Sequence, residues 1–137
     1  MSAREADANS VAERPKADAP TSGLGKPPRY RRAGSFVFVS GTAAKASAGA
    51  DIRAQTKACI EDISAVLEEV GGGLENLVEV TSYLKQMADF VDYNQTYSTY
   101  FSVNGPARTT VAVDRLSDPN ALIEMRGVAY IAQNTNA

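Results

Sequence analysis

The sequence predicts an α+β domain: a mixed β-sheet with two helices packed on one face. Short runs rich in Val, Phe and Thr alternate with two longer stretches whose apolar residues recur every three or four positions. Glycine and proline clusters mark most of the boundaries between them. The resulting order is strand, helix, strand, helix, strand, strand. The sheet face without helices keeps Tyr, Val and Thr, a surface that self-association would bury.

At 137 residues the chain suits one domain with a single core. A net charge of −2 argues against a nucleic-acid or anionic-membrane partner held by bulk electrostatics. No apolar run approaches the roughly 20 residues that span a bilayer, and the opening Met1-Ser2-Ala3-Arg4-Glu5 is too polar for a signal peptide. The expectation is a cytoplasmic protein. With no histidine and a single cysteine, Cys59, the chain has no Ser-His-Asp or Cys-His nucleophile, no His-ligated or multi-Cys metal site and no imidazole acid–base chemistry. Chemistry falls to carboxylates, arginines, hydroxyls, amides and water, with no metal and no cofactor expected.

Residues 1–28 hold four of the six prolines and no aromatic residue. Such a segment buries too little apolar surface to offset its ordering entropy, so a disordered tail is expected, followed by one domain over 29–133. Arg29-Tyr30-Arg31-Arg32 is a short basic segment and Ala33-Gly34-Ser35 a turn. Phe36-Val37-Phe38-Val39 is apolar on both faces, which predicts a strand covered on both sides. It ends at Ser40-Gly41-Thr42. There glycine lets the backbone come close to a partner, and the amides and hydroxyls of Gly41 and Thr42 suit a small ligand. A plain strand end is the alternative. Ala43–Ala50 reads as a loop.

Asp51 caps a helix whose stripe is Ile52, Thr56, Cys59, Ile60, Ile63, Leu67 and Val70, stopped by Gly71-Gly72-Gly73. Glu61, Asp62, Glu68 and Glu69 fall mostly off that stripe and read as a solvated face. The cysteine on the stripe reads as a small buried hydrophobe. Leu77–Leu84 is a strand with Val78, Val80 and Leu84 on one side and Glu79, Thr81 and Tyr83 on the other.

A second helix from about Met87 places Met87, Phe90, Asn94, Tyr97 and Phe101 on one stripe. Asn94 interrupts it, and a buried amide must find partners, either in nearby backbone or in a polar pocket. Gly105-Pro106 ends the helix, and the β-branched run Thr109-Thr110-Val111 opens a strand with Arg108 at its mouth. A guanidinium fixed there serves either as a clamp for an anion or as the partner of a nearby acid. After a loop over Asp114–Asn120, Ala121–Ile131 is the last strand. Glu124 interrupts its apolar run; an isolated carboxylate there is costly, so it sits near a cation or water, or pairs with Arg126 on the same face.

These strings together resemble the Rid family, also called YjgF or L-PSP, small enamine/imine deaminases. The carriers are Phe-Val-Phe-Val-Ser-Gly-Thr at 36–42, Asp-Ile-Arg-Ala-Gln-Thr at 51–56, Met-Ala-Asp-Phe with Tyr-Asn at 87–94, Gly-Pro-Ala-Arg-Thr-Thr-Val at 105–111 and Leu-Ile-Glu-Met at 122–125. The resemblance covers about residues 30 to 132. It implies a chorismate-mutase-like fold and homotrimers with sites in clefts between subunits. It also implies Arg108 as carboxylate clamp, Glu124 as the group that handles water, and Gly41 as a backbone contact, with Asn94 and Tyr93 near the same cleft. One departure stands at the front, where many members carry Gly-Pro-Tyr-Ser-Gln and this chain reads Pro28-Arg29-Tyr30-Arg31-Arg32.

Arg32-Ala33-Gly34, Ser40-Gly41-Thr42 and Arg108–Val113 look like the 2-aminomuconate deaminase branch. The implied reaction is metal-independent hydrolysis of an enamine/imine carboxylate to a 2-oxo acid and ammonia. Arg31, Arg32 or Arg126 would meet a second substrate carboxylate. The alternatives are a broad deaminase of 2-iminobutanoate and 2-iminopropanoate, and a non-catalytic trimeric ligand-binding or chaperone protein.

Overall fold

The computed structural model of the chain describes residues 25–44 and 50–133. The expected disordered tail lies outside the described residues as far as residue 24, and so do residues 45–49 of the expected loop. Five strands form one sheet: β1 Tyr30–Ala33, β2 Phe36–Thr42, β3 Leu77–Leu84, β4 Ala107–Ala112 and β5 Ile123–Tyr130, in the order β1-β2-β5-β3-β4. Only β3 and β4 run parallel; the other three pairings are antiparallel. A parallel pair needs a crossover, and α2 (Phe90–Tyr100) supplies it, while α1 (Ile52–Glu69) lies between β2 and β3.

The core forms where one face of the sheet meets both helices. Val37 and Val39 of β2, Val80 and Leu84 of β3, and Ile123, Met125 and Ala129 of β5 pack with Cys59, Ile60, Ile63 and Leu67 of α1 and with Tyr93 and Tyr97 of α2. The α1 stripe is therefore the one its spacing predicts, with Gln55 and Val66 added. Asp51 caps it by accepting from the Ala54 amide at 2.9 Å. Its far end closes as a Schellman turn: Gly71 takes φ 86°, and the Gly72 amide donates to the Leu67 carbonyl at 2.9 Å.

Five local expectations are corrected. Tyr30–Ala33 is an edge strand, paired with β2 through a two-residue turn in which Gly34 sits at φ 59°. Its charge suits an edge, and Arg32 donates to the carbonyls of Gly34 and Ile131 at 3.0 and 2.6 Å, tying the hairpin to the end of β5. In β2, Phe36 and Phe38 remain 43% and 41% exposed, so within one chain the sheet is covered on one face only. In β3 the pairing with β5 shifts between Leu77 and Glu79. This bulge lets Leu77 and Val80 both point inward and turns Val78 out to 43% exposure.

In the second helical stretch, Met87 belongs to a short 3-10 turn and is 48% exposed. The buried stripe runs through Tyr93 and Tyr97 because their large rings fill the space over β3 and β4, leaving Asn94 at the margin. Finally, β5 starts at Ile123, since Leu122 is tied sideways: its amide donates to Gln55 Oε1 at 2.8 Å and its carbonyl accepts from Lys85 at 2.9 Å.

The open face carries an aromatic group, with Phe36 edge-on to Tyr130 at 5.3 Å and 6.5 Å from Phe38. Among the described residues no helix is long and apolar enough to cross a membrane.

Tyr93 fastens α2 to the sheet. It is wholly buried, and its hydroxyl meets Ser82 Oγ at 2.7 Å and Thr110 Oγ1 at 3.0 Å, one on β3 and one on β4. Replacing it with phenylalanine leaves buried Ser82 short of a partner, an expected loss of about 1–3 kcal/mol in urea unfolding. An unchanged unfolding midpoint contradicts that role.

Candidate active site

The sequence-predicted site residues fall into two groups, one under α2 and one at the end of β2 beside α1. On the helix side, Arg108 stands near the start of β4 opposite Val80, an inward-facing residue, which sends its side chain under α2. Three rings from that region surround it. The guanidinium carbon lies 4.6 Å from the Tyr97 ring centre, 5.4 Å from Tyr93 and 5.7 Å from Phe90. Such faces attract a cation electrostatically without neutralising it. Arg108 Nη1 donates to Asn94 Oδ1 at 2.8 Å, so the amide that interrupts the helical stripe spends its oxygen on the arginine. Among the described residues no carboxylate forms an ion pair with Arg108. A cleft of about 380 Å³ opens beside it, lined by Asn94, Tyr97, Phe101, Pro106 and Arg108 among others.

Tyr93, expected to line the cleft, stands behind it. With no exposed surface and its hydroxyl bonded to Ser82 and Thr110, it reaches the site only through the ring it presents to Arg108.

The second group lies where β2 meets β5. Between Val39 and Thr42 the pairing with β5 slips, so three steps along β2 oppose two along β5. The irregularity falls at Ser40-Gly41 and re-aims the strand end. Gly41 permits a close approach: a Cβ on it would overlap Glu124 Oε2 and lie 3.1 Å from Glu124 Cδ, so an added side chain would push this carboxylate aside. The carboxylate thus rests directly on the glycine backbone. Glu124 forms no ion pair with Arg126 among the described residues, which removes the plain pairing as its explanation. It is partly exposed into a larger cleft of about 670 Å³, shared with Gly41, Thr42, Asp62 and Asp118.

Two contributors to this cleft are not assigned to it from sequence. Asp62 accepts a hydrogen bond from Thr42 Oγ1 at 3.0 Å, so it belongs to the cleft and not to a purely solvated face. The clue is spacing. Asp62 is one turn beyond Cys59, whose thiol donates to the Thr42 carbonyl at 3.3 Å. The other contributor is Lys26–Arg29, whose chain crosses the cleft wall with Ser40 Oγ donating to the Pro28 carbonyl at 2.6 Å. Cys59 is inert in this setting: burial, then the nearby charges of Asp62 and Glu124, push its thiol up to about 12.

Arg108 and Glu124 do not share a cavity within one chain. Arg108 lies in the row of inward residues with Val80 and Gly127, whereas Glu124 pairs with Tyr83 on the opposite face. Among the described residues no group of three or more Cys, Asp or Glu side chains is placed to hold a metal ion.

Comparison with known proteins places this arrangement. A RutC family protein of Pyrococcus abyssi is 43% identical over 104 residues, covering 72% of this chain and 81% of its own. The 3-aminoacrylate deaminase RutC of Acinetobacter baylyi is 38% identical over 81 residues, 59% of this chain and 64% of that protein. The crystal structure of a YjgF/YER057c/UK114 family member from Mycobacterium tuberculosis superposes with a TM-score of 0.74 at 25% identity, covering 85% of this chain and 96% of that one. Residues 26–131 match the model of the family described as endoribonuclease L-PSP, and the chain belongs to that family, the Rid/YjgF group its motifs resemble.

Proposed function

We propose that this protein is a metal-independent deaminase that hydrolyses short enamine/imine carboxylates to 2-oxo acids. In this reading the Arg108 cleft of one subunit is completed by the Glu124 cleft of its neighbour in a homotrimer. The observation that carries it is the state of Arg108: a partly buried cation, held by three rings and one neutral amide, with no acid paired to it among the described residues. A guanidinium so held presents its remaining N–H groups to a ligand anion, and a carboxylate matches their planar fork. The exposed aromatic face formed by Phe36, Phe38 and Tyr130 supports the assembly that would bring the two clefts together.

The chemistry follows from those parts. An enamine tautomerises to its imine, whose carbon is already electrophilic. Arg108 holds the adjacent carboxylate. Glu124 accepts a proton from water as the oxygen adds to that carbon, giving a carbinolamine. That proton passes to nitrogen, and as the C–N bond breaks the hydroxyl gives up its own proton to the departing amine by way of the same carboxylate, releasing ammonia and leaving the C=O. One water is consumed, and no oxidant or reductant is needed. The residues contribute position and proton transfer.

Substrate size is the finer part of the reading. The 2-aminomuconate assignment requires a second cation for the distal carboxylate. Of the candidates for it, Arg32 is already engaged with two carbonyls, whereas Arg126 stands on the open face that also carries Glu124. A short monocarboxylate needs no such group. The similarity to a protein named for 3-aminoacrylate, a three-carbon enamine, supports the same choice.

Ammonia release measured side by side on iminopropanoate-type and muconate-type substrates tests this, with the short substrate expected to turn over faster. Arg108→Ala is expected to lower kcat/KM by about 100-fold or more, and Arg108→Lys to recover little because an ammonium lacks the planar fork. Glu124→Gln should lower kcat by about 100-fold or more with a smaller change in KM. Full turnover by Arg108→Ala ends the proposal. Retained carboxylate binding with no ammonia from any substrate makes the protein a binding module instead.

Gly41→Ala drives a methyl into the Glu124 carboxylate. The expected outcome is a kcat loss approaching that of Glu124→Gln in a folded protein. Wild-type kcat would mean that the placement of Glu124 against the backbone is incidental.

A further inference from the structure

We propose that the Tyr97 hydroxyl is a second donor to the carboxylate held by Arg108, an inference resting on the reading above that this cleft binds a carboxylate. Tyr97 is 5% exposed, and its hydroxyl is the one buried side-chain polar atom among the described residues that has no hydrogen-bond partner. Leaving such a group unpaired costs about 1–3 kcal/mol. Packing does not account for it. Phe101 lies one turn further on, its ring centre 4.7 Å from that of Tyr97 and tilted by 42°, and offers the same ring without a hydroxyl. Nor does the core lack partners for such a group. One turn earlier, Tyr93 in the same aromatic row finds two hydroxyls for its own.

What distinguishes Tyr97 is its place. It lines the Arg108 cleft, and its ring is the nearest of the three to the guanidinium, at 4.6 Å. Asn94, which also lines the cleft, accepts from Arg108 and makes no hydrogen bond with the Tyr97 hydroxyl. The phenol also stays protonated across the working range: burial, and then Tyr93, push it up to about 12, against the opposing charge of Arg108. A neutral O–H beside a guanidinium complements an anion with two oxygens, since the fork and the phenol can each take one. The guanidinium over the same ring repels a cationic group. It therefore favours a carboxylate over an amine at this end of the substrate.

The test is Tyr97→Phe, which keeps the ring and deletes only the oxygen. KM for an iminopropanoate-type substrate and the Kd for pyruvate should each rise about ten-fold, kcat should move less, and Tm should hold or rise because an unpaired buried group has been removed. Unchanged KM and Kd overturn the inference, and a fall in Tm with KM unchanged assigns the hydroxyl to a structural contact and overturns it too. Arg108→Ala measured in parallel keeps the two claims apart. If pyruvate binds that variant as tightly as wild type, the carboxylate reading of the cleft itself fails. If only Tyr97→Phe is silent, the reading stands and this inference falls.

Discussion

A partly buried guanidinium that no carboxylate among the described residues answers is the constraint on which the rest of the molecule depends. Arg108 is held in place by aromatic faces and an amide oxygen, contacts that orient a positive charge and leave it uncancelled. Much of the fold serves that placement. The parallel pairing of β3 and β4 requires the crossover helix α2, and α2 supplies the rings. The Tyr93 hydroxyl then fixes the helix to both strands, so the rings keep their distance from the arginine.

Across the sheet a complementary economy operates at Gly41 and Glu124. Here a carboxylate is accommodated by the absence of a side chain: the bulge at the end of β2 and the missing Cβ leave space for it against the backbone. The two groups have opposite charge and, by their register, lie on opposite faces of one sheet. In the proposed assembly a second copy of the chain brings a carboxylate of this kind to that arginine. The aromatic residues left exposed on the helix-free face give such a copy a reason to bind.

The sequence is legible wherever a local rule and the tertiary context agree. The α1 stripe, its Asp51 cap and its glycine stop are read correctly because spacing, capping and the left-handed turn each act within a few residues. Leu77–Leu84 is placed to the residue, but its faces are not, since a bulge depends on the partner strand and leaves no mark in the strand itself. In the second helical stretch Phe90, Tyr97 and Phe101 pack on the core as their spacing predicts, while Tyr93 joins them and Met87 turns out, because the Tyr93 hydroxyl is drawn onto β3 and β4. Arg108, Glu124, Gly41 and Asn94 stand out in sequence as polar or small residues interrupting apolar runs. Asp62 does not, because it sits among acidic neighbours on an exposed helix face and acquires its partner only when Thr42 is brought over it.

The account turns on two half-sites belonging to different subunits, and mixing inactive variants addresses it directly. Arg108→Ala and Glu124→Gln chains, unfolded together in equal amounts and refolded, assort at random. About a quarter of the subunit seams then bring an intact Arg108 to an intact Glu124. The account predicts that ammonia release, near zero for each variant alone, returns to about one quarter of the wild-type rate in the mixture. A mixture as inactive as its components, with mixed assemblies demonstrated by mass spectrometry, would contradict it.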